Sequence, residues 1–126
     1  MTNATVTRVA RKKMVQARAG VKSLPKIAGF VFGTGGINSA GAVITPSESQ
    51  TKLNNEKLRK PYDKCEMISD VQYRYTVTLS ETELADENIS EIGLYDTAGD
   101  IVAIKNFKAK GKDSDMEMTF MLDDIF

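Results

Sequence analysis

Surface chemistry needs nucleophiles, proton carriers or metal ligands, and this sequence is short of all three. It has no histidine, which removes the commonest general base and the commonest neutral metal ligand. Neither a Ser-His-Asp triad nor a Cys-His pair can therefore be assembled. The one cysteine, Cys65, excludes an internal disulfide. With no histidine beside it, Cys65 also excludes a thiolate or imidazole zinc site within one chain. Cys65 lies at the edge of a strand pattern and is expected as a small buried side chain rather than a nucleophile. A lone thiol fits assembly in a reducing cytosol.

Three clusters imitate functional motifs. Gly33-Thr34-Gly35-Gly36 has the composition of a phosphate loop, but it lacks the Gly-Lys-Ser/Thr ending and the spacing of a dinucleotide fingerprint, and it reads as a tight surface turn. Asp113, Asp115 and Glu117 alternate as calcium ligands sometimes do, yet the fuller ligand set and central glycine of an EF-hand are missing, so solvated negative charge is the better reading. Tyr73 and Tyr75 invite comparison with a base-stacking platform. Their spacing puts them on one strand face with Val71 and Val77, where a core role is simpler. A carboxylate-pair enzyme such as a glycosidase would need two acids facing across a cleft. No such pair is legible, and the expectation is a protein with no catalytic, cofactor or metal site.

Charge is more informative. The sum over the chain is zero, but residues 1–47 hold seven bases (Arg8, Arg11, Lys12, Lys13, Arg18, Lys22, Lys26) and no acid. The remainder holds ten bases against seventeen acids, a net of −7. After Lys112 come Asp113, Asp115, Glu117, Asp123 and Asp124 with no base. Such asymmetry points to a charged partner or to one end meeting the other. No apolar run approaches the roughly 20 residues of a membrane span, and the basic first segment does not read as a signal peptide.

The elements that position these residues follow from periodicity. Residues 4–19 are predicted helical: Val6, Val9, Ala10, Lys13, Met14 and Ala17 make a stripe at every third or fourth position, with Arg8, Arg11, Lys12 and Arg18 on the other side. Gly20 closes the helix. Ile27 to Phe32 suits a buried strand, Gly33–Ala42 a loop, and Gln50–Arg59 a short helix capped by Ser47 or Ser49, with Leu53 and Leu58 buried and Pro61 ending it. Strict alternation over 71–79 predicts a half-buried strand. Ile89–Tyr95 and Ile101–Phe107 form a hairpin about a turn at Asp96 to Asp100, and a final strand runs through Met116, Met118, Phe120 and Leu122. Ser80–Asn88 and Lys108–Asp115 are left as polar connections.

Four blocks in order give this chain a resemblance to a known family. They are Leu24-Pro25-Lys26-Ile27-Ala28-Gly29-Phe30-Val31-Phe32-Gly33; Ile44-Thr45-Pro46 with Thr51-Lys52-Leu53-Asn54-Asn55-Glu56; Ile89-Ser90-Glu91-Ile92-Gly93-Leu94-Tyr95-Asp96 with Gly99; and Asp113-Ser114-Asp115-Met116-Glu117-Met118. Together they resemble the N-terminal module of phage tail-collar fibre proteins, over roughly residues 20–123. The resemblance implies a structural part of a phage or phage-like tail, joining fibre to baseplate in several copies, with no catalytic residues. Family modules commonly head a longer chain. The sequence stops at Phe126, so either a fragment or a standalone connector is expected, and host-receptor binding by this chain is not expected.

The expectations are therefore these. The fold is mainly β (α+β), an antiparallel sheet or small sandwich with a separate N-terminal helix that packs little against it and one short internal helix. Residues 1–22 form a basic docking arm and residues 23–126 the β domain. The candidate interface is Val6, Arg8, Val9, Arg11, Lys12, Met14 and Arg18, meeting Asp113, Asp115, Glu117, Asp123 and Asp124 of a neighbour. Partners are baseplate and tail-fibre proteins and further copies of the chain, a trimer by the resemblance, with neither nucleic acid nor membrane. The location is the tail of a virion or phage-like particle, assembled in the host cytoplasm. The alternative is a nucleic-acid-binding module whose basic helix follows phosphates.

Overall fold

The computed structural model describes residues 4–126; the first three residues of the expected arm lie outside them. The elements in chain order are β1 (Thr5–Val6), α1 (Arg8–Arg18), β2 (Ile27–Gly33), β3 (Glu56–Pro61), β4 (Lys64–Ser69), β5 (Gln72–Leu79), β6 (Asn88–Asp96), β7 (Ile101–Gly111) and β8 (Met118–Ile125). They form two antiparallel sheets, one of five strands in the order β1-β7-β6-β2-β3 and one of three in the order β4-β5-β8. The mainly-β expectation holds, and the sheets pack as a small sandwich.

Alternation explains which residues lie between the sheets. Phe30 and Phe32 of β2, with Ile89, Ile92 and Leu94 of β6, meet Val77 and Leu79 of β5 and Leu122 of β8 in one buried cluster. Phe120 closes it edge-on, its ring centroid 5.2 Å from that of Phe32. The intervening Val31 points the other way, into a second cluster with Leu53, Ile101 and Ile104. Strand β2 is thus apolar throughout because both of its faces are covered.

The sheet face is fixed by a device that apolar patterning does not show. Glu91 is fully buried on β6, and its carboxylate accepts backbone N–H groups from Gly35 (2.8 Å), Asn54 (2.8 Å) and Asn55 (2.7 Å). Ser90 Oγ accepts a fourth from Gly36, at 2.8 Å. A Cβ on Gly36 would lie 2.0 Å from Ser90 O, and one on Gly33 2.5 Å from Glu91 Oε2. The glycine cluster therefore wraps an internal carboxylate. It is pinned against β6 where a free surface turn was expected.

That same capture removes the expected internal helix over Gln50–Arg59. With the amides of Asn54 and Asn55 held by Glu91, they cannot enter a helical ladder, and Glu56–Pro61 instead pairs with β2. Helix-favouring Glu, Lys and Arg are overridden by tertiary pairing. Leu53 is buried as expected, and Leu58 packs on the core from its strand.

Candidate docking surface

The docking surface begins at Thr7. Its Oγ1 accepts the Ala10 N–H at 3.2 Å, capping α1, and donates to Ile101 O at 2.8 Å. Thr7 N–H also donates to Val102 O. The cap stops the helix from reaching back to residue 4, and Thr5–Val6 pairs with β7 instead. At the far end Gly20, at φ +76°, closes the helix: Val21 N–H donates to Gln16 O and Gly20 N–H to Ala17 O, the paired bonds of a Schellman stop.

The helix is not separate from the sheet. Ala10 is buried, and Lys13 Nζ lies 2.6 Å from Asp96 Oδ2 and 2.7 Å from Asp100 Oδ2. Asp96 is buried at the β6–β7 turn, where its Oδ1 also accepts the N–H groups of Ala98 and Asp100. Burial alone would lower the Lys13 pKa; the hydrogen bonds and charges of Asp100 and Asp96 outweigh it, and the pKa is raised. Lys13, expected only to lay its stem along the stripe, is the clasp holding arm to sheet. The sequence marks Asp96-Thr97-Ala98-Gly99-Asp100 as a turn but does not reveal that its carboxylates face the helix.

Between the helix and the smaller sheet lies a cavity of about 340 Å³. Val6, Ala10 and Met14 line one wall, Leu24, Pro25 and Ile27 a second, and Tyr75, Asp124 and Phe126 a third. It has roughly twice the volume of a ~150 Å³ void that admits a benzene ring. The apolar stripe of α1 thus faces a groove open to solvent, with exposed Leu24 and Phe126 on its rim. Val9 is half-buried, while Arg8, Arg11, Lys12 and Arg18 are exposed. Arg11 pairs with Glu48 at 3.0 Å; Arg8, Lys12 and Arg18 have no side-chain hydrogen bond or ion pair among the described residues.

The acids do not form one surface. Asp113, Asp115 and Glu117 are exposed in the connection from β7 to β8. Asp123 and Asp124 lie toward the other end of β8, about 20 Å along an extended chain from Glu117. Asp123 accepts from Arg74 Nε at 2.8 Å and Nη2 at 3.0 Å, and from Gln72 at 2.8 Å. Those hydrogen bonds, with the Arg74 one foremost, hold its carboxyl below the usual aspartate range. Asp124, one residue on, faces the cavity, and burial pushes its carboxyl up.

Two further residues depart from expectation. Cys65 is exposed on β4 rather than buried, because the smaller sheet overhangs the larger one there. Its register partner Tyr75 is half-buried, and burial, then the neighbouring Cys65, pushes the phenol up. Tyr73, though on the core-side face, is also exposed on this overhang. Among the described residues, no three His, Cys, Asp or Glu side chains converge to hold a metal, and no helix is long and apolar enough to cross a membrane.

Against known families, the chain matches the model of the phage tail-collar fibre protein, N-terminal, over residues 1–121. The chain belongs to the phage tail-collar fibre family. It is a structural component of a phage tail, in a family of fibre parts rather than of enzymes. No curated protein and no solved structure matches it. In this fibre module the first sequence block supplies β2, the second the loop captured by Glu91 and the third β6, while the fourth supplies the entry to β8.

Proposed function

We propose that this tail-collar fibre module joins a fibre to the baseplate, and that α1 with the cavity beneath it is the docking surface. The observation that supports this reading is the basic outer face of α1, where Arg8, Lys12 and Arg18 project without partners of their own among the described residues. A field of this sign steers acidic surfaces and fades with salt. Exposed ion pairs contribute only ~0–1 kcal/mol each. An apolar side chain of the partner entering the cavity beside Met14 and Phe126 supplies the larger share. The acceptor is an acidic surface on the baseplate or on a neighbouring copy, where Asp113, Asp115 and Glu117 stand exposed. The working unit is a homo-oligomer, a trimer, assembled in the host cytoplasm before it joins the tail.

Binding to purified tails that lack this protein tests the reading. Arg8→Gln/Lys12→Gln/Arg18→Gln should bind about 10-fold or more weakly while keeping its β-sheet circular dichroism. Met14→Glu, which puts a charge in the cavity, should bind more weakly still. Undiminished binding by both variants refutes the assignment of this surface.

A further inference from the structure

Among the sheet edges, β4 is open to pairing over Lys64 to Met67 and exposes apolar side chains beside it. An exposed edge strand presents unpaired backbone groups to other chains, and proteins blunt such edges with charged side chains, proline, bulges or cover. Strand β3 ends on Pro61 and carries Lys57, Arg59 and Lys60, with Arg59 folded over the Tyr95 ring. Strand β8 carries only acids among its charged residues. Strand β4 has no proline, and Lys64, Cys65, Glu66, Met67 and Ile68 are exposed in succession. The apolar exposure is large: Met67 is 63% and Tyr73, opposite it on β5, 44% accessible.

The charges on this edge are complementary to themselves. Lys64 and Glu66 lie on one face, two residues apart, their charged atoms 3.5 Å from each other. If two β4 strands pair antiparallel about a two-fold axis, residues directly opposite must share a face, so the axis passes beside a single residue. Centred on Lys64 or on Glu66, the pairing sets like charges against each other. Centred on Cys65, it sets Lys64 against Glu66 of the second copy, twice, with Met67 opposite Asp63.

We propose that a second copy of this chain docks on β4, pairing antiparallel in the register centred on Cys65. This goes beyond the docking of α1, since β4 belongs to the other sheet and lines none of the α1 cavity. One strand edge buries less than the ~1,200 Å² of a standard stable complex. The contact is therefore weak between free chains and acts between copies of neighbouring trimers held close together, because the copies within one trimer are related by a three-fold rather than a two-fold axis. The bulge between Met67 and Ser69 ends the pairable stretch and keeps the edge from growing into a longer ladder.

The single cysteine reports the register directly. Opposed residues in an antiparallel pair have Cα atoms ~4.5–5.5 Å apart, within the span a disulfide bridges. Mild oxidation of the full chain by diamide, which takes up the two electrons and two protons released by two thiols, should link Cys65 to Cys65 of a second copy. The comparison is Cys65→Ser/Lys57→Cys, which carries its thiol on the β3 edge and reports random collision. Cys65 should link at least ~10-fold faster than this control, Lys64→Glu should slow it to the control rate by setting acids together, and Lys64→Glu/Glu66→Lys should restore it. Circular dichroism checks that each variant is folded. Linking no faster than the control, no effect of Lys64→Glu, or no rescue by the double exchange overturns the proposal, whatever the outcome for α1.

Discussion

Glu91 shows how one side chain decides the path of two distant segments. Its carboxylate takes three backbone N–H groups from residues 35, 54 and 55 inside the protein, and glycine at 33, 35 and 36 lets the backbone approach closely enough. A buried donor left without its acceptor costs about 1–3 kcal/mol. Glu91→Gln keeps the shape but turns an NH₂ toward those donors, and should lower the urea unfolding free energy by about 2–4 kcal/mol. The two neighbouring aspartates near the end of β8 make a second test at this scale. Asp123, held low by Arg74, contributes stability that is present above the ordinary aspartate pKa and is lost as pH falls through its lower folded value. Asp124, held high by burial, costs stability above its folded pKa, and acid relieves that cost. Asp123→Asn should therefore be less stable at neutral pH and converge on the wild type between about pH 5 and pH 2. Asp124→Asn should be more stable at neutral pH, with the difference closing in acid. Thermal melts across that range distinguish the two.

At the scale of elements, α1 is held by its first two turns and released at its last. Thr7, Ala10 and Lys13 fasten it to β7 and to the Asp96 turn. Val15 and Arg18 are exposed. An eleven-residue helix is marginal alone in water, so its order depends on these anchors. Lys13→Ala should reduce hydrogen-exchange protection of the amides of residues 14–18 by about 10-fold, with those of β2 and β6 unchanged. Much of this scale was legible beforehand. Alternation placed β5 and β8, the turn residues with Gly99 placed the β6–β7 hairpin, and Gly20 placed the end of α1. The misses share one cause. Residues 50–59 have local helix propensity, and only the long-range capture of Asn54 and Asn55 by Glu91 turns them into a loop and a strand. Cys65 reads as buried because period-two patterning gives a side chain's face but not how far the opposite sheet extends to cover it. The basic residues of the candidate site were visible as composition. The Lys13 clasp, the cavity and the division of the acids between the two ends of β8 depend on which strands neighbour which, and periodicity carries no record of that.

The whole molecule is a two-sheet scaffold with a basic helix clasped to one sheet and an overhanging edge on the other, in a family of phage tail-collar fibre proteins. Its charge is divided by region, and zero net charge conceals a basic face on α1 and acids split between the two ends of β8. A helix of this kind attracts phosphates as well as carboxylates, so the sign of the partner alone does not separate a protein from a nucleic acid. The acids of the β domain oppose DNA by repulsion. A baseplate surface can complement both the charge and the cavity. The most direct measurement is a binding isotherm of the wild-type chain and of Arg8→Gln/Lys12→Gln/Arg18→Gln on tails lacking this protein, taken at low and at high salt beside the same titration with duplex DNA. Docking through α1 predicts wild-type binding to tails that weakens with salt, a loss of about 10-fold or more in the variant, and no matching affinity for DNA. Equal binding of both proteins to the tails, with DNA affinity that the variant loses, would contradict it.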